Sequence, residues 1–214
     1  FSERRGTIFT NLQTGVDVSA AGALRANDGL AHTGVKLHGM GFVVTENEAL
    51  ELGRERLEGL SSHMPHFLNG RDLAQLSRNV MVIDLYGLGE GEVATRFPEV
   101  YQHLYDRVRP DRLAKANASK DSAEYAKLWW LHGKPRPAMR HALSGLTRYI
   151  ATPRTATHRI FQFVSSDSLA ESKLVVIACE DPYCLAIVSS HIHKVWSLAS
   201  GGWLGVGNDP TYNH

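Results

Sequence analysis

Cysteine is nearly absent from this sequence: Cys179 and Cys184 are the only two in 214 residues. Two are too few for a disulfide framework. They flank Glu180-Asp181-Pro182-Tyr183, which reads as a hairpin turn, and are expected as neighbouring, reduced, half-buried thiols. Long apolar runs are missing too. None reaches the roughly 18–20 residues that span a bilayer, so no membrane partner is expected. No basic-then-apolar leader opens the sequence, which gives secretion no support. A cytoplasmic location is the expectation, and the sequon at Asn117 carries no weight. With 43% hydrophobic and 21% charged residues, extensive disorder is not expected.

The common fingerprints of catalysis are also absent. There is no Gly-x-Ser-x-Gly, no Walker loop and no dinucleotide motif. Gly87-Leu88-Gly89-Glu90-Gly91 is glycine-rich but leads into acidic residues, without the spacing that cradles a pyrophosphate. No Asn/Asp-Pro-Pro-Tyr tetrapeptide, with which amino-methylating enzymes hold a flipped base, occurs anywhere. Eleven histidines invite a metal, yet the nearest pairs, His63/His66 and His191/His193, lack a third ligand at a recurring spacing. No metal and no cofactor are expected. Phe1 is not an initiating Met and the last residues are turn-rich, so the sequence reads as a piece cut from a longer protein.

Charge is plentiful but unevenly placed. The formal net charge is +1, yet residues 106–159 hold twelve Lys and Arg against four Asp and Glu, a local +8 that the remainder offsets with −7. Half the basic side chains sit in a quarter of the chain. Phosphate contacts come from clustered Arg and Lys, although a solvated basic face gives the same pattern.

Residues 6–44 alternate short apolar pieces with Gly, Asn and Asp, as strands joined by tight turns do. Thr45 and Glu48 fit a capping box before a helix that places Ala49, Leu50, Gly53, Leu57 and Leu60 together. Val80–Leu85 reads as a buried strand in which Asp84 is a polar group satisfied by a neighbour rather than part of a site. Pro98 starts a helix, Ser122–Leu131 reads as another with Ala126, Trp129 and Trp130 inward, and a third runs from Pro137 to about Ile150. Thr157–Val164 is expected as a strand, 173–178 and 183–188 as a hairpin, and 189–198 as a short helix. Strands, then helices, then strands again argue for an α+β fold of mixed antiparallel strands with several helices. It forms a single domain over 1–214, divisible into sub-lobes 1–95 and 96–214.

The Pro137–Ile150 helix carries Arg140, His141, Ser144, Thr147 and Arg148 opposite its apolar stripe, with no acid among them. Surface helices usually mix signs. Lys134 and Arg136 precede it, and Arg154, Thr155, His158 and Arg159 follow. Arg supplies charge to phosphates and a two-pronged donor to guanine. In the expected strand, His158 and Gln162 share one side; Gln162 either pairs with an adenine edge or is an ordinary exposed residue.

Several segments also occur in a familiar order: Phe97-Pro-Glu-Val-Tyr101, Arg107-Val-Arg-Pro-Asp-Arg112, Trp129-Trp-Leu-His-Gly-Lys-Pro-Arg136, Gly145-Leu-Thr-Arg-Tyr-Ile-Ala-Thr-Pro-Arg154 with His158-Arg159, Ser190-His-Ile-His-Lys-Val-Trp196 and Gly205-Val-Gly-Asn-Asp-Pro210. Earlier, Gly34-Val-Lys-Leu-His-Gly-Met-Gly-Phe42, Leu68-Asn-Gly-Arg-Asp72 and Ile83-Asp-Leu-Tyr-Gly87 fit the same series. Together they resemble the target recognition region of MmeI-like type II restriction–modification proteins, which fuse an endonuclease, an adenine methylase and a recognition domain. The resemblance implies a bacterial parent whose methylase half binds S-adenosylmethionine and methylates adenine N6, while this region chooses the sequence on double-stranded DNA. Its partners would be duplex DNA and the methylase domain of the same polypeptide; the fragment itself is expected to be non-catalytic.

The DNA-binding candidates are therefore Lys134, Arg136, Arg140, Arg148, Arg154, Thr155, His158, Arg159 and Gln162. Lys134, Arg140 and Arg148 are expected on phosphates, and Arg154, His158, Arg159 and Gln162 near base edges. A generic RNA or single-strand module and a His-based metallohydrolase are the rival readings. The first needs exposed aromatics among the basic residues.

Overall fold

The computed structural model describes residues 22, 24–202 and 209–212. The parts of the expected 6–44 strand run that fall on 6–21 and 23, and residues 205–208 of the last motif, lie outside them. The architecture is α+β. Strands are β1 (Ala31–Thr33), β2 (Val43–Thr45), β3 (His66–Leu68), β4 (Val80–Val82), β5 (Arg148–Pro153), β6 (Gln162–Ser165), β7 (Ser168–Ala170) and β8 (Leu174–Ile177). They form two four-stranded sheets, ordered β1-β8-β5-β6 and β2-β4-β3-β7. The first is antiparallel throughout, with Ile150 of β5 facing Phe163 on one side and Ile177 on the other. In the second, β3 and β7 run parallel. Each sheet draws strands from both halves of the chain.

Helices are α1 (Glu46–Glu51), α2 (Gly70–Ala74), α3 (Glu90–Arg96), α4 (Pro98–Arg107), α5 (Arg109–Ala114), α6 (Lys120–Lys127), α7 (Pro137–Leu143), α8 (Pro182–Ser189) and α9 (His191–Ser200). The capping box at Thr45 forms: Glu48 N–H donates to Thr45 Oγ1, and Thr45 N–H to Glu48 Oε2. Phe97, kept out of the helical region before the proline that follows, separates α3 from α4. The core between these elements is one cluster that includes Phe42, Leu60, Met81, Phe97, Leu104, Trp129, Trp130 and Tyr149. Both tryptophans are buried, as expected, but α6 ends at Lys127 and they lie in the turn beyond it.

Several expected elements differ, the strand read over 80–85 also being confined to β4. The helix from Pro137 stops at Leu143, because Gly145, at φ +82°, turns the chain into β5. Arg140 and Arg148 therefore share no helical face. Residues 183–188 form part of α8 and not a hairpin strand: Asp181 accepts from Tyr183 N–H as N-cap and Pro182 takes the first helical position. The strand expected at 157–164 is confined to β6, and α1 ends at Glu51, leaving Leu50 exposed. Cys179 and Cys184 form a disulfide at the start of α8, where reduced thiols were expected. In the Gly34-to-Phe42 segment Gly34 is required by contact, since a Cβ there would collide with the Ala170 and Glu171 carbonyls.

Two buried charges organise the interior. Arg112, 4% exposed, reaches five backbone carbonyls and no carboxylate. Its Nε donates to His38 O (3.1 Å), Nη2 to Leu37 O (2.7 Å), and Nη1 faces the carbonyls of Tyr125, Leu128 and Leu131 (3.1, 3.1 and 2.7 Å). Burial pushes its pKa down to about 10, so it remains charged at neutral pH. The second charge is Asp84, which accepts from Arg140 Nη1 and Nη2 at 2.7 and 3.0 Å. The expectation that a neighbour satisfies Asp84 holds. Beside it, His132 donates from Nε2 to Ile83 O (2.9 Å), and its Nδ1 finds no hydrogen-bond partner.

Arg112→Leu should therefore take the guanidinium from five carbonyls, of which Leu37 O and Leu128 O keep a backbone N–H, and lower stability by about 3–5 kcal/mol, with Arg112→Lys recovering only part. Urea unfolding midpoints measure this, and a loss under about 1 kcal/mol would refute the role. Burial holds His132 below the ordinary imidazole value. As pH falls through about 6.5 the unfolded chain takes its proton first, so stability drops on acidification and not on alkalinisation. His132→Gln should make the decline between roughly pH 7.5 and 5.5 shallower. An unchanged slope in the same unfolding assay would remove His132 from the account.

Candidate nucleic-acid interface

A broad cleft lies where α2 faces the end of β5. Its volume is about 1000 Å³. Asn69, Gly70, Arg71 and Ala74 form one wall and Pro153–Ala156 another, with Lys36, Ser172, Lys173 and Thr211 completing the lining. Four cations, Lys36, Arg71, Arg154 and Lys173, meet here, and among the described residues no carboxylate lines the space. All four are exposed. Of the neighbouring acids, Glu171 bonds to two residues of the lining itself and Asp72 is paired with Arg78. Glu171 accepts from Ser172 Oγ (2.6 Å) and Lys173 N–H (3.0 Å). Asp72 is buried against Arg78 at 2.7 Å; burial pushes its carboxyl up, but hydrogen bonds from Arg78 and Asn69 outweigh this and hold it below the usual range.

The Arg154 mount is rigid. Its N–H donates to Lys173 O (2.7 Å) and its carbonyl accepts from Tyr212 N–H (2.7 Å). Thr155 bridges to Thr211. Beneath them Arg159 is buried, donating to Pro153 O (2.6 Å) and Pro210 O (3.1 Å) and lying over the Tyr212 ring. On the opposite wall the Asn69 side chain caps α2, accepting from Arg71 and Asp72 N–H. Arg71 Nε donates to Gln75 Oε1 (3.1 Å), leaving its two terminal nitrogens free of any partner among the described residues.

Lys36 also lines a second recess, of about 590 Å³, with His38, Lys115, Arg112, Lys134, Tyr125 and the acids Asp111 and Asp121. Burial lowers the His38 pKa first, and the charges of Lys36, Arg112 and Lys134 lower it further. This end of the surface is therefore electropositive, although Lys134 pairs with Asp121 at 3.3 Å and Lys115 with Asp111 at 2.6 Å.

Of the nine residues read from sequence, Arg154 and Thr155 line the cleft and His158 is exposed. Lys134 is joined to Lys36 through both backbone groups and so belongs to the same strip. The others have internal partners. Arg136 donates to Gly34 O (3.1 Å), Arg140 to Asp84, and Gln162 Nε2 to Leu73 O (3.5 Å). Arg148 donates to Glu180 O (3.1 Å) and stacks on Phe163, at the far end of β5 from Arg154. Residues 134–163 do not form one continuous basic face. Lys36, Arg71 and Lys173 escaped the sequence reading because Arg71 and Lys173 lie within two residues of an acid, which cancels them in any window of local charge.

Among the described residues no three His, Cys, Asp or Glu side chains gather as a metal site. His63 donates from Nδ1 to Asp84 O (2.8 Å), and His193 Nε2 lies 3.1 Å from the Tyr212 hydroxyl. No helix among these residues is long and apolar enough to cross a membrane.

An α+β fold with a rigid, acid-free cationic cleft is the class these features define. No family model matches the sequence, and no curated protein matches it. Among solved structures, the fold is similar to that of the type IIL restriction–modification enzyme MmeI in complex with DNA, with a TM-score of 0.70 and 18% sequence identity. The match covers 94% of this chain and 26% of that enzyme's chain, so the sequence spans about a quarter of its length. At this identity the likeness is one of fold.

Proposed function

We propose that this chain is the duplex-DNA recognition module of a bacterial restriction–modification N6-adenine methyltransferase. It would work in the cytoplasm beside a catalytic half that binds S-adenosylmethionine. The observation that carries the proposal is the cleft, where four exposed cations converge without a carboxylate. A sugar–phosphate strand is a convex polyanionic ridge, and a concave cationic cleft is its complement. The ordered motifs shared with MmeI-like proteins and the fold shared with an enzyme solved on DNA support the same reading.

In this reading Arg154, Lys173, Lys36 and Arg71 hold phosphates, with Thr155 and Thr211 offering hydroxyl donors. Lys134 extends the strip, and His158 stands at its exposed margin toward the bases. Arg136, Arg140, Arg148, Arg159 and Gln162 brace the elements that present these groups. A single-strand or RNA module would need aromatic platforms along the cationic track, and among the described residues no aromatic side chain lines the cleft. Trp129 and Trp130 are in the core.

Binding to labelled duplex, measured across a salt series, tests the assignment. Arg154→Ala and Lys173→Ala should each weaken all sequences alike and flatten the log affinity–log salt slope by about one unit. Arg140→Ala should leave that slope unchanged while lowering stability by about 3–5 kcal/mol, because Asp84 is left buried and unpaired. The opposite pattern, with Arg140 setting the slope and Arg154 silent, would sink the cleft as the binding surface. Preference for single strands or RNA over duplex would sink the function itself.

A further inference from the structure

Immediately beyond α2 the chain makes a short loop, Gln75–Asn79, with Leu76 at its tip. Leu76 is 90% exposed, the most exposed large apolar side chain among the described residues. A single exposed leucine is ordinary on a protein surface. This one differs in its mount and its neighbours. Arg78 closes the loop at its base, donating from its backbone N–H (2.9 Å), Nε (3.0 Å) and Nη2 (2.7 Å) to the buried Asp72 carboxylate. Gln75 N–H donates to Arg71 O (2.9 Å), and Asn79, at φ +49°, turns the chain into β4 with its N–H on Ser77 Oγ (3.2 Å). Five residues are thus braced from both ends to hold an apolar tip in water. Ala74, two residues before the tip, lines the cationic cleft, and Arg71 reaches into it from the same helix.

We infer that Leu76 is a wedge that enters the base stack of the duplex seated in the cleft. The inference rests on the proposed function and deepens it. Beside a phosphate-binding groove the apolar surfaces of DNA are thymine methyls and the faces of the stacked bases, and only insertion between bases covers a whole leucine side chain. Wedges of this kind unstack one step and kink the helix, the cost being offset by the contacts that the bent duplex makes. For a module acting beside an enzyme that must extrude a base, a local opening of the stack lowers the cost of extrusion. The braced loop keeps the tip from folding back, so insertion loses little conformational freedom.

The test uses a duplex enriched from a randomised pool by the wild-type chain, carrying 2-aminopurine at successive positions. Wild type should raise the fluorescence at one step. Leu76→Ala should abolish that rise and weaken binding roughly tenfold, with the salt slope unchanged. Because Leu76 is solvent-exposed, thermal unfolding of the variant should match wild type, which separates the effect from misfolding. Arg154→Ala should do the converse, flattening the salt slope while keeping the fluorescence rise at saturating protein. If Leu76→Ala binds and unstacks like wild type, or if wild type binds with no rise at any position, the wedge is refuted while the recognition function stands. If wild type neither enriches nor binds duplex, the recognition function falls and the wedge with it.

Discussion

The Arg112 guanidinium is the point on which the candidate surface depends. A single planar cation with five donors, in contact with five carbonyls drawn from two separated segments, fixes Leu37–His38 against the α5–α6 region. Lys36 is the next residue along, and its position between the two recesses follows from that anchorage. No acid is needed, because the carbonyl dipoles replace the hydration that burial removes. Lysine would serve here only in part, since an ammonium is a point charge without the fork geometry. The Phe42 and Tyr125 rings flank the guanidinium and complete its shell.

Rigidity at the cleft has the same origin on a smaller scale. Arg154 is held through its own backbone, and the strand end beneath it is stapled by Arg159 to the returning segment at 209–212. Facing it, the capping box at Asn69 and the Asp72–Arg78 pair fix α2 and the loop beyond. Cations on such mounts lose little freedom when they meet a polyanion, so more of the Coulombic gain appears as affinity. Under the proposed function the same bracing would serve specificity, because a phosphate contact that cannot drift sets the register of everything beside it.

Much of the fold could be read directly from residues. The capping box, the start at Pro98, the buried tryptophans and the satisfied Asp84 all follow from local chemistry. Elements failed where a local signal was outweighed. Arg140 to Ile150 has helical spacing, but Gly145 in the left-handed region breaks it, and Tyr149-Ile-Ala-Thr152 finds partners on both sides in β6 and β8. The apolar run in α8 has no periodicity that separates strand from helix, and the Asp181-Pro182 start decides the matter. The site was harder. Arg154 and Thr155 were legible because they lie in the basic stretch. Lys36, Arg71 and Lys173 were not, since three distant segments meet only when β5 pairs with β8 and α2 packs on β5.

The linear charge excess of the middle segment therefore means something different from what it suggests. Arg112, Arg136, Arg148 and Arg159 donate chiefly to backbone carbonyls, and such acceptors satisfy hydrogen bonds without cancelling charge. Only Arg140 is neutralised by a buried acid. The interior cations consequently still contribute to the field outside, since their positive charge has no internal counterion and screening by salt acts over roughly 8–10 Å. Contact and attraction are divided between two sets of residues. Under the proposed function, the arginines bonded to carbonyls add to the positive field, and the exposed Lys36, Arg71, Arg154 and Lys173 would make the contact. A sequence window records the first set and overlooks most of the second.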